Sequence, residues 1–258
     1  MKVVLFCGGL GMRMRDFSEN IPKPLVPIGA RPILVNLMNY YAHFGHKDFV
    51  LCLGYRGDAI KEYFLNYNEC ISNDFVLSKG GREVELLHRD IDDWTITFVD
   101  TGLHSNIGER LLAVQKHVAG EDVFLANYSD GLSDLPLTPY VHDFLETDGV
   151  ASMLAVPAPQ AFHILEADKD GIVQKLEHVG ESLVRINGGF FVFRREIFDY
   201  IEPGEELVLE PFRRLIAKRL LHAHEYDGFW ASMDTFKDKQ KFEDLLTRGQ
   251  APWQVWKA

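Results

Sequence analysis

An α/β fold with a mostly parallel central sheet, flanked by helices and carrying small antiparallel additions, is what the sequence predicts. Three observations lead there. Short, nearly continuous apolar runs rich in β-branched and aromatic residues recur along the chain, as strands buried on both faces do. Between them lie longer segments with apolar residues at helical spacing. No internal repeat, low-complexity tract or dividing linker interrupts the alternation, so residues 1–258 are expected to form a single domain.

Taken in order, Lys2–Cys7 is the first strand. Pro32–Phe44 is a helix with Ile33, Leu34, Leu37, Met38 and Tyr41 on one face, Pro32 suited to its first turn and Gly45 to its stop. Asp48–Leu53 follows as a strand and Asp58–Leu65 as an amphipathic helix, then Trp94–Val99 as a strand and Glu109–Val118 as a helix. Val123–Ala126 is a buried strand leading to a helix over Pro139–Glu146. Val150–Val156 and Arg185–Phe193 are strands, and Glu210–Leu220 and Phe236–Leu246 are helices. Glu83–His88 and Ile172–His178 are the antiparallel additions.

Composition narrows the function. The 258 residues are 47% apolar and 25% charged, as in ordinary globular proteins, which excludes wholesale disorder. A formal charge of −11 removes the general attraction to polyphosphate on which nucleic-acid binding rests. The longest apolar runs, such as Val150–Val156 broken by Ser152, fall far short of a membrane span. The apolar stretch before Gly8-Gly9 is shorter than a signal-peptide core. Cys7, Cys52 and Cys70 form neither a Cys-x-x-Cys pair nor a disulfide framework. A cytoplasmic protein with reduced thiols is the expectation.

Ligands of open α/β sheets bind beyond the carboxyl ends of the strands. Three polar constellations fall there: Gly8-Gly9-Leu10-Gly11-Met12-Arg13, Asp100-Thr101-Gly102, and Asn127-Tyr128-Ser129-Asp130-Gly131. In a parallel sheet all three share one rim. Glycines at 8, 9 and 11 let backbone N–H groups approach phosphate oxygens, and Arg13 adds a planar charged fork, although the loop lacks the ending of a P-loop and the Gly-x-Gly-x-x-Gly spacing. Pro22-Lys23-Pro24 stiffens the chain around Lys23. Asp130 is read either as a turn former or as a magnesium ligand, and Asp234 either as a helix N-cap or as a second ligand.

These motifs, with Gly54-Tyr55-Arg56-Gly57, Ile186-Asn187-Gly188-Gly189-Phe190-Phe191, Gly228-Phe229-Trp230, Met233-Asp234-Thr235 and Ala251-Pro252-Trp253, resemble in order and spacing the sugar-1-phosphate nucleotidyltransferases, most closely the glucose-1-phosphate cytidylyltransferase family. The resemblance implies a Rossmann-like nucleotidyltransferase fold. It implies transfer of a nucleotidyl group from a nucleoside triphosphate, CTP in this family, to a sugar phosphate, with pyrophosphate released. It assigns Gly8, Gly9, Gly11 and Arg13 to the triphosphate, Lys23 to the phosphates at the reacting centre, and Asp130 and Asp234 to Mg2+. Arg110, placed in the loop after Thr101-Gly102, would contact the cytosine base, with Thr101 and Tyr128 completing the nucleotide site. Glu177, Asn187 and Gly188 would hold the sugar, with positions 163 and 178 beside them. A homo-oligomer is also implied.

The residue set suits the chemistry. A phosphate-oxygen nucleophile is already anionic near neutral pH, so no general base is needed. What the site must supply is alignment of two anions and stabilisation of charge on the α-phosphate and pyrophosphate. The sequence departs from the family at Met12, where a threonine is usual, at Met14, and at His178-Val179, where a lysine and proline are usual; Phe162-His163 replaces a small glycine. His163 and His178 are read either as solvated strand residues or as walls of a bulkier, less cationic acceptor pocket that selects something other than glucose 1-phosphate. The changes at Met12 and His178 also leave room for a catalytically silent nucleotide or sugar-phosphate sensor or scaffold, against which the retained Arg13, Lys23, Asp130 and Asp234 argue.

Overall fold

The computed structural model describes residues 1–9, 21–158, 163–179 and 184–257. Its centre is an eight-stranded sheet. The strands are β1 (Lys2–Phe6), β2 (Asp48–Leu53), β3 (Thr95–Asp100), β4 (Val123–Tyr128), β5 (Ala151–Pro157), β6 (Arg185–Asn187), β7 (Phe191–Arg194) and β8 (Leu221–Glu225). In space they run β8-β5-(β6, β7)-β4-β1-β2-β3, with β6 and β7 as two pieces of one line along β5. Every neighbouring pair is parallel except those made by β6 and β7, so the sheet is mostly parallel as the apolar runs predict.

The helices are α1 (Ile33–His43), α2 (Gly57–Leu65), α3 (Ile107–Val118), α4 (Leu137–Leu145), α5 (Glu210–Ala217) and α6 (Phe236–Thr247). Alternate residues of β1 feed two cores. Val3 and Leu5 pack with Ile33, Leu37 and Tyr41 of α1, whereas Val4 and Phe6 pack with Leu111, Val114 and Val118 of α3. Coverage of both faces is why these strands carry no polar alternation. Among the described residues no helix is long and apolar enough to cross a membrane.

Several elements differ from the sequence reading. Arg185–Phe193 is broken rather than continuous: Gly189 and Phe190 have φ of +75° and +48°, and the Asn127 Oδ1 atom accepts the Phe190 N–H at 2.9 Å, fixing the break. The helix expected over Glu210–Leu220 ends at Ala217, and Leu221–Glu225 forms the edge strand β8 after a three-residue turn. The two antiparallel additions are present as expected: Glu83–Leu86 pairs with Phe75–Ser78, and Val173–His178 with His163–Ala167, as two separate hairpins. α3 begins at Ile107, which places Arg110 inside the helix rather than in the preceding loop.

Candidate active site

Parallel pairing in register brings the carboxyl ends of β1 to β4 to one rim. Phe6 lies opposite Cys52 on one side and Tyr128 on the other, and Leu53 lies opposite Asp100. Gly8 and Gly9, Thr101, and Ser129 with Asp130 therefore converge, and the Ser129 hydroxyl donates to the Phe6 carbonyl at 2.8 Å. Gly11, Met12 and Arg13 lie outside the described residues.

Asp130 and Asp234, far apart in the chain, meet because two three-residue strands pair antiparallel. Gly131–Ser133 lies against Trp230–Ser232, with Gly131 opposite Ser232. Asp130 precedes the first strand and Asp234 follows the second, and the Met233 N–H donates to the Asp130 carbonyl at 2.9 Å. The Lys23 ammonium bridges the two carboxylates, 2.6 Å from Asp130 Oδ2 and 2.9 Å from Asp234 Oδ1. Lys23 sits on a short 3-10 turn, Lys23–Leu25, entered through Pro22 and containing Pro24, and the lysine side chain is only 16% exposed. Burial pushes its ammonium down, but Asp130 and then Asp234 outweigh this and hold it above the ordinary lysine value. The Ser232 hydroxyl donates to Asp234 Oδ2 at 2.9 Å. The N-cap reading of Asp234 is corrected: Thr235 is the cap of α6, in a reciprocal capping box with Asp238.

Two carboxylates that already reach one cationic point fit a hard divalent ion, which typically takes one or two protein carboxylates and draws its other ligands from water and phosphate. Among the described residues no group of three or more His, Cys, Asp or Glu side chains is placed to hold a metal.

On the other side of the rim, the break between β6 and β7 presents Asn187, Gly188 and Gly189 next to Tyr128. The Asn187 amide donates to the Tyr128 hydroxyl at 3.4 Å, and the Trp230 indole donates to the Gly188 carbonyl at 2.8 Å. A Cβ on Gly188 would come within 3.1 Å of that indole nitrogen, so glycine permits the close approach. A cavity of about 380 Å³ opens beside Asp234, walled by Pro157, Trp230, Ser232 and Phe242. Glu177 pairs with Lys175 at 2.9 Å on the hairpin that rises between β5 and β6. His163 and His178 are cross-strand partners at the base of that hairpin, so the two departures from the family occupy one place.

Arg110 is not at the surface. It is 3% exposed, and its guanidinium donates to the Leu53 carbonyl at 3.1 Å, the Thr101 hydroxyl at 2.7 Å and the Gly8 carbonyl at 3.0 Å. Thr101 is also turned inward, donating to the Leu53 carbonyl at 2.7 Å. Arg110 thus clamps the ends of three strands together beneath the rim. Sequence reading missed Asn127 and Ser129 as fixing groups; both lie where β4 leaves the core, the place at which a buried strand turns polar.

The rim gathers Gly8, Gly9, a lysine and a pair of aspartates at the carboxyl ends of a mostly parallel sheet. The chain belongs to the nucleotidyl transferase family, which it matches over residues 2–238. It is 37% identical to the glucose-1-phosphate cytidylyltransferase of Salmonella typhi over 258 residues, 99% of this chain and 100% of that protein. The same identity and coverage hold for the glucose-1-phosphate cytidylyltransferase of Salmonella typhimurium. With such full-length relatives, the chain is a sugar-phosphate nucleotidyltransferase. The crystal structure of HddC from Yersinia pseudotuberculosis shares the fold, with a TM-score of 0.68 at 20% identity over 95% of this chain and 99% of that one.

Proposed function

We propose that the chain transfers a cytidylyl group from CTP to a sugar 1-phosphate, with Mg2+, as a cytoplasmic homo-oligomer. One observation carries the reading of the site: Asp130 and Asp234 converge on the Lys23 ammonium at the rim that also holds Gly8 and Gly9. In the reaction an oxygen of the sugar phosphate attacks the α-phosphorus, the bond from that phosphorus to the bridging oxygen breaks, and pyrophosphate departs with the electron pair. Mg2+ held by Asp130 and Asp234 would neutralise charge on the α-phosphate and the leaving group.

The chain's own residues do the rest. Gly8 and Gly9, with Gly11 and Arg13, cradle the triphosphate through backbone N–H groups and the guanidinium. Lys23, on its proline-stiffened turn, stabilises charge on the phosphates. Tyr128 lies between the nucleotide and acceptor sides, where its hydroxyl accepts from Asn187. Asn187, Gly188 and Glu177 orient the sugar.

The test is a matrix of CTP, UTP and dTTP against a panel of sugar phosphates, read by pyrophosphate release with Mg2+. CTP is expected to lead. Nucleotide binding without turnover across the whole panel would overturn the reading in favour of a sensor. The paired His163 and His178 support an acceptor other than glucose 1-phosphate; glucose 1-phosphate leading by a wide margin would overturn that part alone.

A further inference from the structure

Asn127 is 1% exposed, and a single atom of it reaches both halves of the site. Its Oδ1 accepts the Tyr128 N–H at 2.9 Å and the Phe190 N–H at 2.9 Å. Only the oxygen end of an amide can accept, so these two donors fix its orientation. The nitrogen end lies near the Tyr41 hydroxyl without a well-formed hydrogen bond, and both groups are buried. Burying such groups unsatisfied is costly, and an apolar side chain of the same size would avoid the cost. The oxygen is therefore the part of Asn127 that the fold uses.

The backbone it holds is strained. β7 pairs with β4 as far as Phe191 opposite Ala126, and the next two residues in register are Phe190 and Asn127. There the ladder stops. Gly189 and Phe190 turn through φ of +75° and +48°, and a bulky residue adopts the second only where its surroundings impose it. Two contacts do so: the buried Phe190 ring lies against Tyr40 and Tyr41 of α1, with ring centroids 5.4 and 6.1 Å away, and Asn127 takes the Phe190 N–H. The turn held in this way carries the acceptor side. Asn187 Oδ1 accepts the Gly189 N–H at 2.9 Å, and the Gly188 carbonyl accepts from the Trp230 indole. A Cβ on Gly189 would fall 2.4 Å from Asn127 Oδ1, so the amide sits directly against the turn.

We propose that Asn127 is a positioning residue for the acceptor: its side-chain oxygen sets the turn over residues 187–190 against Tyr128, and with it the place where a sugar 1-phosphate is presented to the nucleotide. Being buried, it touches no substrate itself. This rests on the nucleotidyltransferase reading above, in which Asn187 and Gly188 orient the sugar, and specifies what holds those two in place.

Three variants test it: Asn127→Leu, which keeps the size and removes the oxygen; Asn127→Ala, which removes the oxygen without crowding; and Asn127→Asp, which keeps an acceptor oxygen. Calorimetry measures binding of α,β-methylene CTP, which cannot be turned over, and then of glucose, galactose and mannose 1-phosphate to the protein holding that analogue and Mg2+. Pyrophosphate release with CTP gives kcat and KM. Asn127→Leu is expected to weaken hexose 1-phosphate binding, and to raise its KM, by about 10- to 100-fold, the cost that a misplacement of about 1 Å can carry. Binding of the CTP analogue should stay within about twofold of wild type, since the loss falls on one substrate alone. Asn127→Ala should match the leucine variant, and Asn127→Asp should recover most of the loss.

Three results overturn the proposal. One is an equal loss toward nucleotide and sugar phosphate. Another is a lowered melting temperature with both affinities and KM unchanged, the signature of a purely structural residue. The third is an aspartate variant as impaired as the leucine one. Should Asn127→Leu not fold, the alanine and aspartate variants decide between the same outcomes. Binding is scored without turnover, so a wild type that binds a hexose 1-phosphate but releases no pyrophosphate sinks the proposed reaction while the binding ratios still judge this role. A wild type that binds none of the three sugar phosphates overturns the role itself.

Discussion

Replacing Asp234 with asparagine keeps the shape of a side chain that accepts from Ser232 and Lys23, and removes its charge. If Asp234 holds the metal, kcat/KM falls at least about 100-fold, since even outer-shell partners of metal ligands cost 10- to 100-fold. Stability should hardly move, because a carboxylate 40% exposed to solvent contributes little through its ion pair. Pyrophosphate release and thermal melting check both halves; wild-type turnover in the variant overturns the assignment. Asp130 and Asp234 were legible in the sequence only as candidates: taken alone, Asp130 reads more readily as a turn former, and Asp234 equally as a helix N-cap. The burial of Arg110 was not legible, because an arginine is taken as solvated by default. A signal did exist: Arg110 stands four residues before Val114, on the buried stripe of α3 that includes Leu111 and Val118.

At the scale of elements, the site depends on where short pieces begin and end. β7 runs against the parallel strands, so its leading residues, not its trailing ones, reach the catalytic rim. That is how Asn187 and Gly189 come to lie beside Tyr128 although they precede a strand. The long apolar strands and the helices with clear stripes were read correctly, because burial on both faces leaves a strong pattern. Gly131–Ser133 and Trp230–Ser232 were missed since three residues carry no periodicity, and β8 was missed because Leu221-His222-Ala223-His224-Glu225 mixes polar and apolar groups at a sheet edge. Thr235 joins element to site: it caps α6 and is the neighbour of Asp234. Thr235→Ala is expected to lower stability by about 1 kcal/mol in urea unfolding and to reduce turnover as well. Unchanged stability would show that the capping box contributes nothing.

For the molecule as a whole, a source of acid sensitivity lies away from the rim at His46. Burial, with the N-terminal ammonium next, pushes the His46 imidazole down to about 4. An unfolded histidine titrates near 6.5. Between these values the unfolded chain binds more protons than the folded one, so stability declines as pH falls from 6.5 toward 4. His46→Gln should flatten that decline in urea midpoints measured across the window; an identical slope in the variant overturns the link. The rim has its own electrical logic. With Lys23 seated between Asp130 and Asp234, one of the two negative charges that would hold a divalent ion is already balanced. If Asp130 and Asp234 held a divalent ion, Lys23 would have to leave them, and a polyanion bound beside it would give its ammonium a new partner. Metal and nucleotide would then favour entry as a pair.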